Sequence, residues 1–229
     1  MKILRTSKWD MLVQINELPY KELLLEFLAT FSFERHSITF DKPNTVQFRL
    51  GDNRFQLSLT EFSVHCGFYT PDFTDSPEYQ QCLYNLGNDI PGVVWNDFCA
   101  PDATAYDPRM TKGSAIRHPS LRYLHRLITA IISGHRESTG IVTQRDLFYL
   151  QCFRNHQIPH LGYGFALYMD SMARKKKGAL CGGPYITKLA KGLGVFNSLR
   201  GLTKAPPMIA FDIRIIEAWG LLPRKMDST

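Results

Sequence analysis

The stretch from Val46 to Glu61 constrains the fold of this chain more than any other. Val46, Phe48 and Leu50 alternate with polar residues, and Phe55, Leu57 and Leu59 alternate again after Gly51-Asp52-Asn53-Arg54. A period of two marks a strand with one buried face, and the intervening residues carry turn chemistry, so residues 46–59 predict a β-hairpin. The second strand runs into Ser58-Leu59-Thr60-Glu61, a capping box. There the serine hydroxyl and the glutamate carboxylate satisfy amides that the first turn of a helix leaves unpaired. Phe62 to Cys66 then predicts a short helix closed by Gly67.

Elsewhere the apolar residues follow the helical period. In Leu18 to Phe31, positions 23, 24, 27, 28 and 31 form one stripe, and Pro19 suits a first turn. In Pro119 to Ser133, Leu121, Leu124, Leu127, Ile128, Ile131 and Ile132 share an arc, while Arg122, His125 and Arg126 occupy another and Gly134 ends the element. Thr143 to Asp146 predicts the cap of a helix through Cys152. Further helices are predicted over Tyr163 to Lys177, from Pro184 to Leu193 before Gly194, and from Asp212 to Trp219 before Gly220. Residues 70–116, rich in Pro, Gly, Asp and Asn, predict an irregular connection with one or two short helices, anchored by Tyr84, Trp95 and Phe98. The expected fold class is mainly α. It is a single domain over residues 1–229 with a small β-hairpin, about 46–59, leading into a capped helix.

At 44% hydrophobic and 21% charged residues, the chain can bury a core and lies far from disordered compositions. No apolar run approaches the roughly 18 to 20 residues of a membrane span. Met1 to Lys8 is basic but precedes no apolar stretch, so no secretory leader is predicted. Five scattered cysteines suit reduced thiols better than a disulfide framework, and the chain reads as intracellular. Charge is distributed unevenly. Residues 1–110 hold 9 Lys/Arg and 15 Asp/Glu, net −6, whereas residues 111–229 hold 18 and 6, net +12. Either the basic half presents a surface to a polyanion, or the acidic half docks on it and neutralises it.

Two basic clusters are candidates for contact with nucleic acid. One comprises Arg117, Arg122, Arg126 and Arg136, with His118, Tyr123 and His125 supplying the mixture of aromatic and basic groups that single strands favour. The other is the run Arg174, Lys175, Lys176 and Lys177, for which the alternative is a set of cations complementing a helix C-terminus. Cys152, His156 and His160 are spaced four apart, as metal ligands on one helical face would be. Pro159 disfavours such a helix and no fourth ligand is evident, so no zinc is expected. The glycine pairs near Gly182 and Gly194 lack the phosphate-loop pattern, and no G-x-S-x-G elbow occurs. No cofactor is expected. An enzyme could arise only from a cysteine and a histidine brought together by folding.

Four of these segments together resemble the plant retrotransposon open-reading-frame-one C-terminal domain of the Athila group of long-terminal-repeat elements. They are LLLEFLATF (Leu23 to Phe31), FRLGDNRFQLSLTEFSVHCGFYT (Phe48 to Thr70), HPSLRYLHRLITAIISGH (His118 to His135) and GPYITKLAKGLGV (Gly183 to Val195). The hairpin-plus-helix segment is also distantly similar to the plant mobile domain. The resemblance implies a retrotransposon-derived plant protein acting like a capsid or nucleocapsid component, and it transfers no active-site residues. The chain lacks the Asp-[Ser/Thr]-Gly protease motif, the Tyr-x-Asp-Asp polymerase motif and a zinc knuckle. The function expected is therefore a non-enzymatic association module whose partner is nucleic acid, a second copy of itself, or both. The rivals are a host-type chromatin or transcription-silencing adaptor, as the plant mobile domain suggests, and a cryptic Cys/His enzyme.

Overall fold

The computed structural model describes residues 15–35, 44–87, 92–133, 140–174 and 182–205. The first helix, α1 (Lys21–Thr30), buries Leu23, Leu24, Phe27 and Leu28, the stripe its period predicts, and Phe31 is buried just beyond it. Pro19 lies outside the helix, before the N-cap Tyr20, where its carbonyl accepts from Ala205 N–H at 2.9 Å. The expected hairpin is present as β2 (Thr45–Leu50) and β3 (Asn53–Ser58), but it belongs to a larger sheet. A third strand, β1 (Ser32–Glu34), pairs antiparallel with β2, so the strand order is β1-β2-β3. The hairpin turn is Gly51-Asp52 alone. Both residues have positive φ (59° and 65°), as a two-residue turn matching the strand twist requires. From α1, the Glu26 carboxylate accepts from the N–H groups of Gly51 at 2.8 Å and Asp52 at 3.1 Å, which locks the turn to the helix.

At Ser58 the chain turns into α2 (Leu59–His65) through a complete capping box. Ser58 Oγ accepts from Glu61 N–H at 3.2 Å, and Ser58 N–H donates to the Glu61 carboxylate at 2.8 Å. Donation to the Glu61 carboxylate from the Ser58 N–H and from the Ser58 hydroxyl, each at 2.8 Å, holds that carboxyl below the usual carboxylate range. Gly67 follows the helix with φ 81°. Two short helices, α3 (Pro71–Thr74) and α4 (Pro77–Leu83), and 3-10 turns at Gly92–Asp97 and Gly113–Ala115 account for the connection. Trp95 and Phe98 anchor it from within the core, whereas Tyr84 is exposed and anchors nothing.

Four longer helices complete the architecture: α5 (Pro119–Ile131), α6 (Gln144–Arg154), α7 (Leu161–Ala173) and α8 (Gly183–Gly192). The helix expected from Asp212 to Trp219 lies outside the described residues. One face of the sheet carries Phe33, Val46, Phe48 and Leu50 inward, and α1, α2, α7 and α8 pack into the layer that covers it. Aromatic rings join that layer: Phe27 meets Phe48 at 5.0 Å, Phe62 meets Phe165 at 5.9 Å, and Phe68 meets Tyr185 at 5.2 Å. Such pairs add to burial through favourable quadrupole geometry. A second group, α5 against α6 and α6 against the Gly92–Asp97 turn, is joined to the first through one buried apolar cluster.

Candidate functional site

The candidate surface lies on α5, the most strongly two-faced of the described helices. Leu124, Leu127 and Ile128 are buried inward, while Arg122 and Arg126 are exposed one turn apart. Arg117 and His118 are exposed at the helix entrance, where His118 is the N-cap and supplies no side-chain cap. The 3-10 turn Gly113–Ala115 packs on α5 and is preceded by exposed Lys112, a cation that carried no signal in sequence. No acidic residue occupies the first turn of α5. That is the reverse of the usual complement to the positive end of a helix dipole. Among the described residues, no ion pair engages Arg117 or Arg122.

His125 does not share this face. It is 1% exposed and points into the α5–α6 interface, so its place among the surface cations is corrected. Its Nε2 lies 3.1 Å from the Ile141 carbonyl oxygen and 3.5 Å from Oδ2 of Asp146, itself 0% exposed. A carbonyl oxygen can only accept, so Nε2 carries the hydrogen. Asp146 also caps α6, since its Oδ2 accepts from both the N–H and the hydroxyl of Thr143 at 2.8 Å. Tyr106 closes this pocket with a hydrogen bond from its hydroxyl to the Val142 carbonyl at 3.1 Å. Burial, followed by the nearby Asp146 and Asp107 carboxylates, pushes its phenol up to about 12.

The second basic cluster is only partly described. Arg174 ends α7 and pairs with Asp170, one turn earlier, at 2.9 Å, so its charge is met locally. Lys175, Lys176, Lys177 and Arg136 lie outside the described residues. Two cations of the basic half meet carboxylates of the acidic half, Arg154 with Asp97 at 2.9 Å and Lys191 with Glu17 at 2.6 Å. At these two places the halves neutralise one another.

Three of the cysteines are packing groups. Cys66, Cys82 and Cys152 are buried, and burial raises their thiols, Cys66 well above its ordinary value, Cys82 to about 11 and Cys152 to about 12. Activation of a nucleophile requires the opposite shift. The chain leaves the helical conformation at Arg154, so Cys152, His156 and His160 share no face. Cys152 is buried on α6, His156 is exposed in a left-handed turn (φ 54°), and His160 is buried as the N-cap of α7. Among the described residues, no cluster of three or more His, Cys, Asp or Glu side chains could hold a metal, and no helix is long and apolar enough to cross a membrane.

Residues 2–152 match the model of the ATHILA ORF-1 family, about two thirds of the chain. The chain belongs to that family. It is an Athila-type retrotransposon open-reading-frame-one domain. The matched span holds the whole sheet, α1 to α5 and nearly all of α6, and so includes the arginines of α5. Beyond the match, α7 and α8 nevertheless pack on α1 and α2, which makes them part of the same core as the ATHILA ORF-1 segment. No curated protein and no solved structure matches the chain.

Proposed function

We propose that this retrotransposon protein is a non-enzymatic association module that meets the phosphate backbone of nucleic acid along the outer face of α5. The observation that carries the reading is the placement of Arg117, Arg122 and Arg126. Arg122 and Arg126 are like charges one turn apart, and Arg117 precedes the positive end of the helix dipole. Each placement opposes helix stability by a few tenths of a kcal/mol. A phosphate seated there reverses the sign of all these effects at once. Recognition of this kind follows charge and is indifferent to base sequence. The raised thiols, and the enclosure of His125 with Asp146 between α5 and α6, support the non-enzymatic part of the reading.

The test is titration of the purified chain with single-stranded RNA and with duplex DNA at two salt concentrations. The expected result is binding that weakens steeply with salt and loses about one unit of log–log salt slope per arginine replaced by alanine at 117, 122 or 126. No binding at low salt, or binding unchanged in the triple variant, defeats the proposal.

A further inference from the structure

The sheet ends in an edge whose geometry is its own complement. Leu50 and Asn53 flank the two-residue turn, so Leu50 with Asn53, Phe48 with Phe55, and Val46 with Leu57 exchange the ladder hydrogen bonds. The peptide groups of Arg54, Gln56 and Ser58 therefore point away from β2. Ser58 N–H is already taken by the Glu61 carboxylate at 2.8 Å, which closes the edge at that end. The turn locked by Glu26 closes the other. Between them, Arg54 and Gln56 are exposed, and among the described residues no hydrogen bond reaches their outward N–H and C=O groups. On the apolar face, Phe55 stacks on buried Phe48 at 5.6 Å, yet Phe55 and Leu57 are only partly buried, since among the described residues no strand continues the sheet past β3.

We propose that a second copy of this chain pairs along β3, antiparallel and two-fold about Phe55, to form a continuous six-stranded sheet. The open groups sit symmetrically on either side of Phe55. A two-fold axis there sets Arg54 of each copy opposite Gln56 of the other, and every outward N–H and C=O of those residues finds a partner. Phe55 then faces its counterpart in a position without ladder hydrogen bonds, where side chains approach most closely and aromatic pairs contribute most. Charge selects the same arrangement. Parallel pairing of two copies would set Arg54 beside Arg54, whereas the antiparallel one sets it beside a neutral amide. Exposed edges of this kind are templates for strand addition unless they are blocked, and among the described residues nothing blocks this one between the turn and Ser58. The inference is independent of the α5 arginines.

Sedimentation of the nuclease-treated full chain over a wide concentration range tests it. The expected result is a reversible monomer–dimer equilibrium. Gln56→Pro removes the outward N–H, which by symmetry deletes two intermolecular hydrogen bonds, and proline is tolerated at that position of an edge strand. The dissociation constant should rise at least roughly tenfold. If Gln56→Pro fails to fold, Gln56→Lys serves, since it places a second cation opposite Arg54 of the other copy. A chain that stays monomeric throughout, including one whose edge is reserved for a strand of a different protein, overturns the proposal. So does a dimer that a folded Gln56→Lys or Gln56→Pro variant leaves unchanged.

Discussion

Asp146 reaches across from the first turn of α6 to face His125 of α5, with Oδ2 and Nε2 3.5 Å apart and both side chains shut off from solvent. One carboxylate thus does two jobs, capping its own helix through Thr143 and fixing the neighbouring helix through His125. The arginines of α5 are presented outward because this contact and the leucines beside it hold the opposite side of the helix inward. Thr143→Ala removes only one part of the cap and should cost about 1 kcal/mol. Asp146→Ala removes the cap and the partner of a buried imidazole, and should cost roughly 2 to 4 kcal/mol. Denaturant unfolding of both variants measures the difference. Equal losses would mean that the His125 contact contributes nothing.

Gly113 tests the same interface from the other side. A Cβ built at Gly113 would lie 2.7 Å from Nδ1 of His125, and Gly113 N–H is held by the Gly140 carbonyl at 2.7 Å, so neither side can retreat easily. Gly113→Ala should destabilise the fold by roughly 1 to 3 kcal/mol, the usual cost of overpacking. An alanine variant with an unchanged unfolding midpoint would show that the loop carrying Gly113 yields freely.

Much of this architecture was legible in the sequence where the signal is local. The hairpin, its capping box and the Thr143–Asp146 cap are each written within a few residues, because strand alternation and helix capping are short-range physics. Strand β1 was not, since Ser32–Glu34 offers one apolar residue between two polar ones, and its identity comes only from pairing with Thr45–Gln47. His125 was misplaced for a related reason. It stands three residues before Ile128 and four after Leu121, on the rim of the apolar stripe, and a helical wheel alone cannot assign a rim position. Its partner Asp146 was already visible as a cap residue, but its second role depends on how α6 packs against α5. For the basic surface, the sequence supplied Arg117, Arg122 and Arg126, whereas the local neutralisation of Arg174 by Asp170 follows from the helix turn they share.

Acid should unfold the chain partly through His160. Burial holds its imidazole at about 4, against 6.5 for an exposed one. Its Nδ1 accepts from Tyr163 N–H at 3.3 Å, which only the neutral ring can do. Because the folded value lies below the unfolded one, the unfolded chain binds the proton first as pH falls. The stability is fully present above about pH 6.5 and is lost between there and about pH 4, by up to roughly 3 kcal/mol. His160→Asn keeps a capping side chain and removes the titration. Its stability should decline less than that of the wild type over this window, and parallel pH profiles for the two proteins would reject the role given to His160.

The face of α5 should reveal its purpose by being costly to the isolated protein. Arg122 lies in the first turns of the helix, four residues before Arg126, with no acidic residue near the N-terminus to offset it. Replacing it with glutamate changes two interactions in one direction. The new carboxylate complements the helix dipole, worth about 0.3 to 1 kcal/mol at a surface. It also turns a like-charge pair with Arg126 into a Glu–Arg pair in the favourable order, worth about 0.2 to 0.5 kcal/mol. Arg122→Glu should therefore raise the unfolding midpoint at low salt, and added salt should shrink the gain by screening both interactions. The same variant should lose affinity for both RNA and DNA, because it places an anion where a phosphate would sit. Stability that rises while binding falls is the pattern of a residue kept for a partner and not for the fold. If Arg122→Glu lowers the midpoint, the arginine is structural and the surface has to be sought elsewhere.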